Sequence, residues 1–428
     1  MKTYLYPKRE DWNQLVQRPV QKLEQLKAGV QQTFDLVQQN GDAALIELAA
    51  KFDKAQLQQV WVSEAEIAAA VPQVPQELKD SIELAYNNIK VFHEAQREPV
   101  QQVETVHGVT CWRKSVAIQK VGLYIPGGSA PLFSTLLMLG IPAQIAGCRE
   151  IILATPPGAD GSINATILYT AQRLGITRIL KAGGAQAIAA LAFGTETVPA
   201  VDKIFGPGNQ YVTAAKQMVT QIGVAIDMPA GPSEVLVIAD DSANPLFVAA
   251  DLLSQAEHGP DSQVVFATNS EKQLQNVQAA VVEQLAQLPR QTVAEQALNN
   301  SLGVVFDSLE EALEFSNLYA PEHLILSVDE SEILAEQVTQ AGSVFMGHYS
   351  PESVGDYASG TNHTLPTNGY ARNYSGVSLD SFVKKITFQQ LTKEGLERIG
   401  PAVEIMAEAE GLHAHKNAVT VRLQKFKS

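Results

Sequence analysis

Hydrophobic and polar positions repeat with different periods in different parts of this chain. Up to about residue 96 the apolar residues recur at helical spacing, and Ser63 followed by Glu66 has the spacing of a capping box at the start of a helix. A further amphipathic run covers residues 76–96. From about residue 115, short apolar runs alternate with longer helical stretches. This second pattern predicts an α/β fold in which parallel sheets are covered by helices on both faces.

The predicted strands form two blocks, separated by the proline and glycine cluster at 229–232. The first block comprises the apolar runs at 121–125, 151–154, 178–181, 203–205 and 224–226. The second block comprises the runs at 235–239, 263–267, 303–306, 324–327 and 343–346. Two such blocks in tandem favour two Rossmann-like parallel-sheet lobes. In open α/β sheets ligands bind at the carboxyl ends of the strands, so we expect the site in the turns that follow these runs.

The composition argues against several classes of partner. Lys and Arg number 31 against 46 Asp and Glu, which gives a formal net charge of −15. This acidic balance disfavours nucleic acid or an anionic membrane as the partner, because phosphate binding needs a basic surplus. The two cysteines, Cys111 and Cys148, are too few for a disulfide framework or a thiolate zinc site. The first nine residues contain no apolar signal segment, and we expect a cytoplasmic protein.

One long segment is uncharged in the manner of a membrane span. No charged residue occurs at 121–148. However, Pro126, Pro131 and Pro142 interrupt the segment together with a glycine pair, and an uninterrupted transmembrane helix would not tolerate that spacing. We therefore predict a buried strand, a glycine turn and a core helix here rather than a membrane helix.

Two polar motifs in the second block carry candidate chemistry. Gln255 and His258 lie three residues apart at the end of a helical run, so both side chains project from one face. Glu322 and His323 are adjacent and stand just before an apolar run, where they could divide general acid and general base work. Taken singly, each motif is more typical of a polar helix end.

Two further motifs lie closer to the carboxyl terminus. Asp356 and His363 are seven residues apart in a glycine-bracketed loop, and Glu410 is followed by a His-x-His sequence that contains His415. An ordinary turn and a surface helix are the plain alternatives. Together, however, these motifs supply Gln, His, Asp and His without a thiolate, a nitrogen and oxygen ligand set that suits zinc or another divalent metal.

The standard dinucleotide fingerprint is incomplete in this sequence. Gly206-Pro207-Gly208-Asn209-Gln210-Tyr211 follows a predicted strand and precedes a predicted helix, but Tyr211 takes the place of the third glycine. The pairs Gly127-Gly128 and Gly183-Gly184 also follow strand-like runs and would let a helix N-terminus approach a pyrophosphate. These turns indicate a phosphate or dinucleotide ligand, and no more than that.

Taken together, the motifs resemble the histidinol dehydrogenase family over nearly the whole chain. The strings that carry this resemblance are VGLYIPGGSAPLFST (121–135), GGAQAIAALAFGTE (183–196), VDKIFGPGN (201–209), DMPAGPSEVLVIAD (227–240), LLSQAEHGPDSQV (252–264), APEHLI (320–325), SPESVGDYASGTNHTLPT (350–367) and LHAHKNAV (412–419). The combination is highly specific. We find no departure at a position that the family uses for metal binding or acid–base chemistry.

The resemblance implies a role for each candidate residue. Zinc ligands that would also contact the substrate are Gln255, His258, Asp356 and His415. Acid–base roles fall to Glu322, which would activate water, and to His323, the general base, which would also contact substrate. Further substrate contacts are Ser233, His363 and Glu410. Contacts to NAD are Tyr124, Gln186 and Asn209. The two cysteines have no role in this mechanism.

The family's chemistry and assembly follow as expectations. The enzyme would oxidise L-histidinol to L-histidine through bound L-histidinal and reduce two NAD, at the end of histidine biosynthesis. It would be a homodimer with intertwined arms, in which His415 and Glu410 complete the partner's site. We accordingly assign residues 1–27 to an N-terminal arm, 28–119 with 233–376 to the first Rossmann-like lobe, 120–232 to the second lobe, and 377–428 to a C-terminal arm.

Two alternatives remain open from the sequence. A paralogue with the same metal chemistry would oxidise a different alcohol, although Ser233, His363 and Glu410 keep the histidinol-contacting pattern. A solute-binding protein would also have two α/β lobes that close on a ligand. The absence of an export signal and the presence of a complete set of ligands and bases count against that second alternative.

Overall fold

The computed structural model describes residues 1–18, 23–127, 131–229 and 231–425. Gly128 of one predicted glycine turn, Ala230 of the predicted seam and short parts of both predicted arms lie outside the described residues. The strands β1 to β14 span Lys2–Leu5, Gln102–Val106, Val109–Ala117, Lys120–Tyr124, Glu150–Thr155, Ile179–Lys181, Lys203–Phe205, Ala225–Ile226, Glu234–Ala239, Gln263–Thr268, Leu302–Val305, His323–Ser327, Ser343–Met346 and Val383–Leu391.

The helices α1 to α16 of the described chain span Trp12–Leu15, Leu23–Leu48, Glu64–Ala70, Gln76–Glu94, Phe133–Ala146, Ala165–Arg173, Gly184–Phe193, Gln210–Val219, Pro245–Ala256, Glu271–Leu285, Gln291–Asn299, Leu309–Tyr319, Ser331–Ala335, Glu352–Tyr357, Lys393–Ala409 and His413–Lys425. The predicted capping box is present, because the Ser63 hydroxyl accepts from the Glu66 amide while the Glu66 carboxylate accepts from the Ser63 amide. The predicted strands after residue 115 are all present, with ends shifted by at most one residue.

A five-stranded parallel sheet forms one lobe, with the order β6-β5-β4-β7-β8. Helices α3, α4, α5 and α6 pack on one face of this sheet, and helices α2, α7 and α8 pack on the other. The uncharged segment at 121–148 provides strand β4 and helix α5, and nearly every side chain of α5 is buried. A helix that is apolar all round is expected in the core of an α/β lobe, as the sequence predicted.

A six-stranded parallel sheet forms the other lobe, with the order β1-β11-β10-β9-β12-β13. Helices α9, α10 and α11 cover one face, while α1, α12 and α13 pack against the other. Strands β9, β10 and β12 are fully buried and read as continuous apolar runs, which is typical of central parallel strands. The prediction of two parallel-sheet lobes is therefore confirmed.

The structure groups the first hundred residues differently from the predicted domain limits. We expected residues 28–119 to join the lobe formed by 233–376, but Phe34, Ile82 and Ile89 pack on the five-stranded sheet of the other lobe. Residues 2–5 do not extend as an arm either, since β1 is the edge strand of the six-stranded sheet. Sequence periodicity shows which face of a helix is apolar, but it does not show which of two sheets that face will cover.

A three-stranded antiparallel sheet was not predicted. Its order is β14-β3-β2, so the chain near residue 390 pairs with the segment near residue 110. Half-exposed strands of this kind lack the long apolar runs that identify buried parallel strands. Helices α15 and α16 follow as an antiparallel hairpin, and Phe382 ties this region to the five-stranded sheet by stacking on Phe205 with ring centroids 4.0 Å apart.

None of the described helices is both long enough and apolar enough to cross a membrane.

The Phe205–Phe382 stack yields a test of how the C-terminal region is anchored. Both rings are fully buried. Phe382→Ala should lower the free energy of unfolding by about 3–5 kcal/mol, because it removes a buried ring and leaves a cavity. The loss is measured by urea unfolding at one fixed protein concentration. Phe247→Ala, which truncates a phenylalanine that is 44% exposed, serves as the control and should cost less than about 1 kcal/mol. Equal losses in the two variants would contradict the anchoring role.

Candidate active site

A deep cleft between the two lobes brings most of the predicted site residues together. Its volume is about 1810 Å³, and its walls include residues of both parallel sheets and of the loop at 356–367. The predicted site residues that line it are Tyr124, Gln186, Asn209, Ser233, Gln255, His258, Glu322, His323, Asp356 and His363. The structure therefore places the metal, acid–base, substrate and cofactor candidates along one connected surface.

The two sheets face this cleft with opposite edges. In the five-stranded sheet, Tyr124 is the last residue of β4, and Gly206 follows the last residue of β7, as expected for the carboxyl edge. In the six-stranded sheet, Ser233 precedes β9 and Glu322 precedes β12. The expectation that ligands lie after the strands is thus wrong for the six-stranded lobe. The amino ends of strands β9 and β12 form its wall of the cleft.

Glu322 and His323 are fixed by the first residue of β9. The backbone N–H of Glu234 donates to Oε2 of Glu322 at 2.9 Å, and the backbone oxygen of Glu234 lies 3.0 Å from Nδ1 of His323. The same Nδ1 is 3.5 Å from Oε2 of Glu322. Both side chains are buried. The backbone N–H and C=O groups of one residue therefore hold the carboxylate and the imidazole side by side.

Burial and charge shift the pKa values of this pair. Burial raises the pKa of Glu322, although the adjacent imidazole opposes the shift. Burial alone would lower the pKa of His323, but the neighbouring carboxylates of Glu322 and Asp356 raise it well above its usual range. Shifts of this size at a cleft are typical of functional residues rather than of ordinary surface groups.

Three metal-ligand candidates reach the cleft from two helices. Gln255 and Asp356 lie on helices α9 and α14, and His258 lies just beyond the end of α9. Gln255 lies in the last turn of α9, and His258 follows two residues beyond its end, where its backbone N–H donates to the oxygen of Gln255 at 3.2 Å. Asp356 lies on the short helix α14. Burial lowers the pKa of His258, which favours the neutral imidazole that binds metals. Burial would raise the pKa of Asp356, but the imidazoles of His323, His363 and His258 lower it overall.

Several buried polar atoms at this point lack hydrogen-bond partners within the described parts of the chain. They are Oε1 of Gln255, Oδ1 of Asp356 and Nε2 of His323, and the last two lie 3.4 Å apart without hydrogen-bond geometry. A buried polar atom without a partner costs about 1–3 kcal/mol. The described residues contain no group of three or more His, Cys, Asp or Glu side chains arranged to hold a metal ion. The described chain therefore offers nitrogen and oxygen donors that lack partners, but too few of them to enclose a metal ion.

Glu352 connects helices α9 and α14, and the sequence analysis did not single it out. It lies one turn before Asp356 on α14, is almost fully buried, and accepts a hydrogen bond from the hydroxyl of Ser254 on α9. Burial raises the pKa of Glu352 to about 8, although the imidazole of His323 opposes that shift. The i, i+4 spacing from Asp356 was the available sequence signal.

The remaining substrate candidates lie on two sides of this group. His363 bonds through Nδ1 to the backbone oxygen of Asp356 at 2.7 Å and through Nε2 to the hydroxyl of Thr135 at 3.0 Å. The hydroxyl of Ser233 lies 3.4 Å from Nδ1 of His258. Thr135, which the sequence analysis did not single out, comes from the five-stranded lobe. It therefore links the two lobes across the cleft.

The glycine turns of the five-stranded sheet form the opposite wall. The hydroxyl of Tyr124 accepts from the backbone N–H of Gly184 at 3.0 Å, and burial raises the pKa of Tyr124 to about 12. Gly206 has a φ of +126°, and a Cβ there would lie 2.0 Å from the backbone oxygen of Tyr124. Only glycine fits this close approach. Helix α7 begins at Gly184, so its N-terminal N–H groups open toward the cleft wall.

The other cofactor candidates show two kinds of environment. Gln186 is buried at the cleft wall. Asn209 caps α8, because its side-chain oxygen accepts from the N–H groups of Tyr211 and Val212 at 3.0 and 3.2 Å. Its amide nitrogen therefore remains for a ligand. Asp53, which no sequence signal marked, also lines the cleft, and burial raises its pKa to about 6.

His415 and Glu410 are the candidates that the structure does not bring to the cleft. Glu410 caps the end of α15, and His415 lies in the first turn of α16. Both side chains are exposed, and neither lines the cleft. A single chain therefore lacks the fourth predicted metal ligand.

Comparisons with known proteins agree with the family predicted from the motifs. The family model described as histidinol dehydrogenase matches residues 16–423. The histidinol dehydrogenase of Bacteroides fragilis (strain YCH46) is 58% identical over 427 residues, which cover 100% of both chains. The chloroplastic histidinol dehydrogenase of Arabidopsis thaliana is 54% identical over 417 residues, covering 97% of this chain and 89% of that protein.

A solved structure gives the same result in three dimensions. The crystal structure of histidinol dehydrogenase from Elizabethkingia anophelis superposes with a TM-score of 0.98 at 60% sequence identity, and the match covers 100% of this chain and 99% of that chain. The family predicted from the sequence is confirmed by the family model, by relatives and by this structure. The chain belongs to the histidinol dehydrogenase family.

Proposed function

We propose that this chain oxidises L-histidinol to L-histidine through L-histidinal, with two NAD as oxidants and with zinc bound at the cleft. The observation that carries the proposal is the position of Glu322 and His323. The pair lies in the same cleft as the donor group of Gln255, His258 and Asp356, and it faces the glycine turns of the five-stranded sheet. A site with an acid–base pair, a set of metal donors and glycine turns that can approach a dinucleotide suits an oxidation in two steps.

The side chains at the cleft fit both bound groups. Gln255 and Asp356 each direct an unpartnered oxygen into the site, counted over the described residues, and no thiolate lies in the cleft lining. Together with the neutral imidazole of His258, this set suits zinc. Zinc would orient the substrate's imidazole and amino nitrogens, and NAD would accept each hydride. Tyr124, Gln186 and the amide of Asn209 would hold the dinucleotide.

The acid–base steps fall to the buried pair. The bond from Nδ1 of His323 to the oxygen of Glu234 leaves Nε2 to take the substrate's hydroxyl proton. A cation held by Asp356 would offset that carboxylate's charge and lower the pKa of His323 toward the range of a general base. Glu322 would then remove a proton from the water that adds to the aldehyde. Ser233 and His363 would position the substrate, and the cleft would retain the aldehyde.

The proposal includes a homodimer with a shared site. His415 and Glu410 are exposed on the α15–α16 hairpin, away from the cleft of their own chain. The same hairpin exposes the apolar side chains of Ile405, Met406 and Leu412. Exposed apolar patches of this kind are typical of interfaces. A second copy that covers them would place His415 and Glu410 at the partner's cleft.

A paralogue that oxidises another alcohol is the remaining alternative. Ser233, His258 and His363 line the cleft together, which supports a substrate that carries an imidazole and an amine. An alcohol that is oxidised faster than L-histidinol would favour the paralogue. The solute-binding alternative does not explain a buried acid–base pair.

The stoichiometry of NADH formation is the first test of the proposal. Purified protein should form two NADH per L-histidinol consumed, because both oxidation steps take place in one cleft. Exhaustive chelation should abolish turnover, and zinc should restore it. One NADH per substrate with free aldehyde would contradict the role of Glu322. No turnover by zinc-loaded protein would reject the substrate assignment.

Glu322→Gln should separate the two half-reactions. The amide oxygen of glutamine can still accept from the Glu234 N–H, so the fold is kept, but the water-activating base is lost. We expect oxidation of supplied L-histidinal to fall by about 100-fold or more, while alcohol oxidation falls far less. Both rates are followed by NADH absorbance. Glu330→Gln, an exposed carboxylate beyond the other end of β12, is the control and should leave both rates unchanged. Equal losses in the two half-reactions would count against this assignment.

Mixed dimers test whether His415 acts across the interface. His415→Ala and His258→Ala should each be inactive alone. A heterodimer of the two variants would have one intact site and should show about half the activity of the wild-type dimer. As the control, heterodimers of His258→Ala with Asp356→Ala carry a defect in both sites and should stay inactive. Verified heterodimers of the first pair without activity would rule out the shared site.

A further inference from the structure

A buried ion pair lies directly behind the Glu322–His323 pair. The guanidinium of Arg18 donates through Nε to Oε1 of Glu234 at 2.8 Å and through Nη2 to Oε2 at 2.9 Å. The two side chains are only 10% and 2% exposed. Glu234 is the residue whose backbone holds Glu322 and His323. The position of its side chain therefore bears on the position of both reacting groups.

Arg18 also holds the segment that leads into the catalytic pair. Its Nη2 donates to the backbone oxygen of Ala320 at 3.3 Å, and its guanidinium lies 3.7 Å from the centre of the Tyr319 ring. Ala320 has a φ of +53°, a left-handed conformation that a residue other than glycine adopts only where its surroundings impose it. Pro321 and Glu322 are the next two residues, so the conformation of Ala320 affects the position of Glu322. The guanidinium of Arg18 thus contacts the start of β9, through Glu234, and the segment that leads into β12, through Ala320.

The remaining contacts of Glu234 extend this arrangement to the substrate loop. Oε1 of Glu234 also accepts from the backbone N–H of Asn368 at 2.8 Å. Asn368 ends the loop that carries His363. Tyr319 is fixed from its other end, because its hydroxyl donates to the side-chain oxygen of Gln263 at 2.8 Å. Arg18 and Glu234 therefore form the centre of a hydrogen-bonded support for three segments of the cleft.

A planar guanidinium is the group that this support requires. Arginine donates two parallel bonds to a carboxylate and stacks on an aromatic face at the same time, whereas a lysine ammonium provides a single point charge. Burial increases the dependence on geometry, since a buried carboxylate that loses its partner is strongly destabilised. Arg18 does not line the cleft itself, so it has no direct access to a substrate there.

We propose that Arg18 is a positioning residue for the oxidation. It acts through Glu234 and Ala320, and it holds Glu322 and His323 at the places where they exchange protons with substrate and water. The inference rests on the proposed acid–base function of that pair. It adds a segment near the start of the chain, residues 1–18, to the machinery that makes the site competent.

Steady-state kinetics of Arg18→Lys and Arg18→Ala test the proposal. Misplacement of a reacting group by about 1 Å from a change outside the site can cost about 100-fold in rate. We expect kcat for L-histidinol to fall by about that factor in Arg18→Ala, with kcat and kcat/KM falling together, because binding in the ground state is little affected. Arg18→Lys should fall between Arg18→Ala and the wild type. Added guanidinium chloride at low millimolar concentration should restore part of kcat in Arg18→Ala alone, by filling the vacated position.

The chain contains a control pair of the same bonding geometry, although its side chains are more exposed, at 33% and 44%. Arg173 donates through Nε and Nη2 to the carboxylate of Glu83 at 2.7 and 2.8 Å, and it lies 3.8 Å from the centre of the Tyr86 ring. These contacts repeat those of Arg18, but they join α6 to α4 away from the cleft lining. Arg173→Ala and Arg173→Lys should leave kcat unchanged, even where they lower the midpoint of thermal unfolding.

Hydrogen exchange gives a readout that does not depend on turnover. In Arg18→Ala, peptides that contain residues 233–236 and 320–324 should exchange faster than in the wild type, while Arg173→Ala should leave them unchanged. An unchanged kcat in folded Arg18→Ala, a loss that guanidinium does not repair, or unaltered exchange in these peptides would each overturn the inference. Wild-type protein that never oxidises L-histidinol would reject the proposed function instead, and the exchange data would still decide the role of Arg18.

Discussion

The backbone N–H and C=O groups of Glu234 are the constraint on which the proposed catalytic geometry depends. In the parallel register of β9 and β12, His323 stands opposite Val235, so Glu322 lies just beyond the paired residues. The N–H of Glu234 is a donor at the entry of a central strand, and a buried donor of this kind must find an acceptor. The carboxylate of Glu322 takes that position, and the carbonyl of the same residue holds His323. Strand pairing therefore places Glu234 where its backbone can bond to both side chains.

The opposed orientation of the sheets explains how one cleft combines two kinds of chemistry. The carboxyl edge of the five-stranded sheet presents glycine turns and the start of helix α7, which are suited to a phosphate-bearing ligand. The amino edge of the six-stranded sheet presents N–H groups and the end of α9, which hold carboxylates and imidazoles. Neither edge would provide both sets. In the proposed function the five-stranded lobe would hold the cofactor and the six-stranded lobe the reacting groups, and the two would meet in the cleft.

Much of this arrangement was predictable from the sequence, and the exceptions share a cause. The buried strands were recognisable because central parallel strands are apolar throughout, as in β9 and β12. The candidate residues from Tyr124 to His363, which line one cleft, were singled out because short strings of a known family surround them. Glu234, Glu352 and Arg18 were missed because they act through other residues. Residues 28–119 were predicted to join the lobe of residues 233–376, whereas their helices pack on the five-stranded sheet, since amphipathicity identifies a buried face but not its partner.

The unpartnered atoms in the cleft support the proposal that a bound ion and a second chain complete the site. Folding normally pairs buried polar atoms, because each one left without a partner costs about 1–3 kcal/mol. Gln255, Asp356 and His323 nevertheless each retain one such atom within the described chain. Glu352 joins α14 to α9 through the hydroxyl of Ser254, and the backbone oxygen of Glu234 bonds to His323, so the surrounding structure restrains a rearrangement that would relieve the cost. A bound cation would satisfy the two oxygens, and a ligand from the exposed α15–α16 hairpin of a second chain would complete its coordination. The need to satisfy these atoms would thus link the proposed metal binding and the proposed dimer to the order of the cleft.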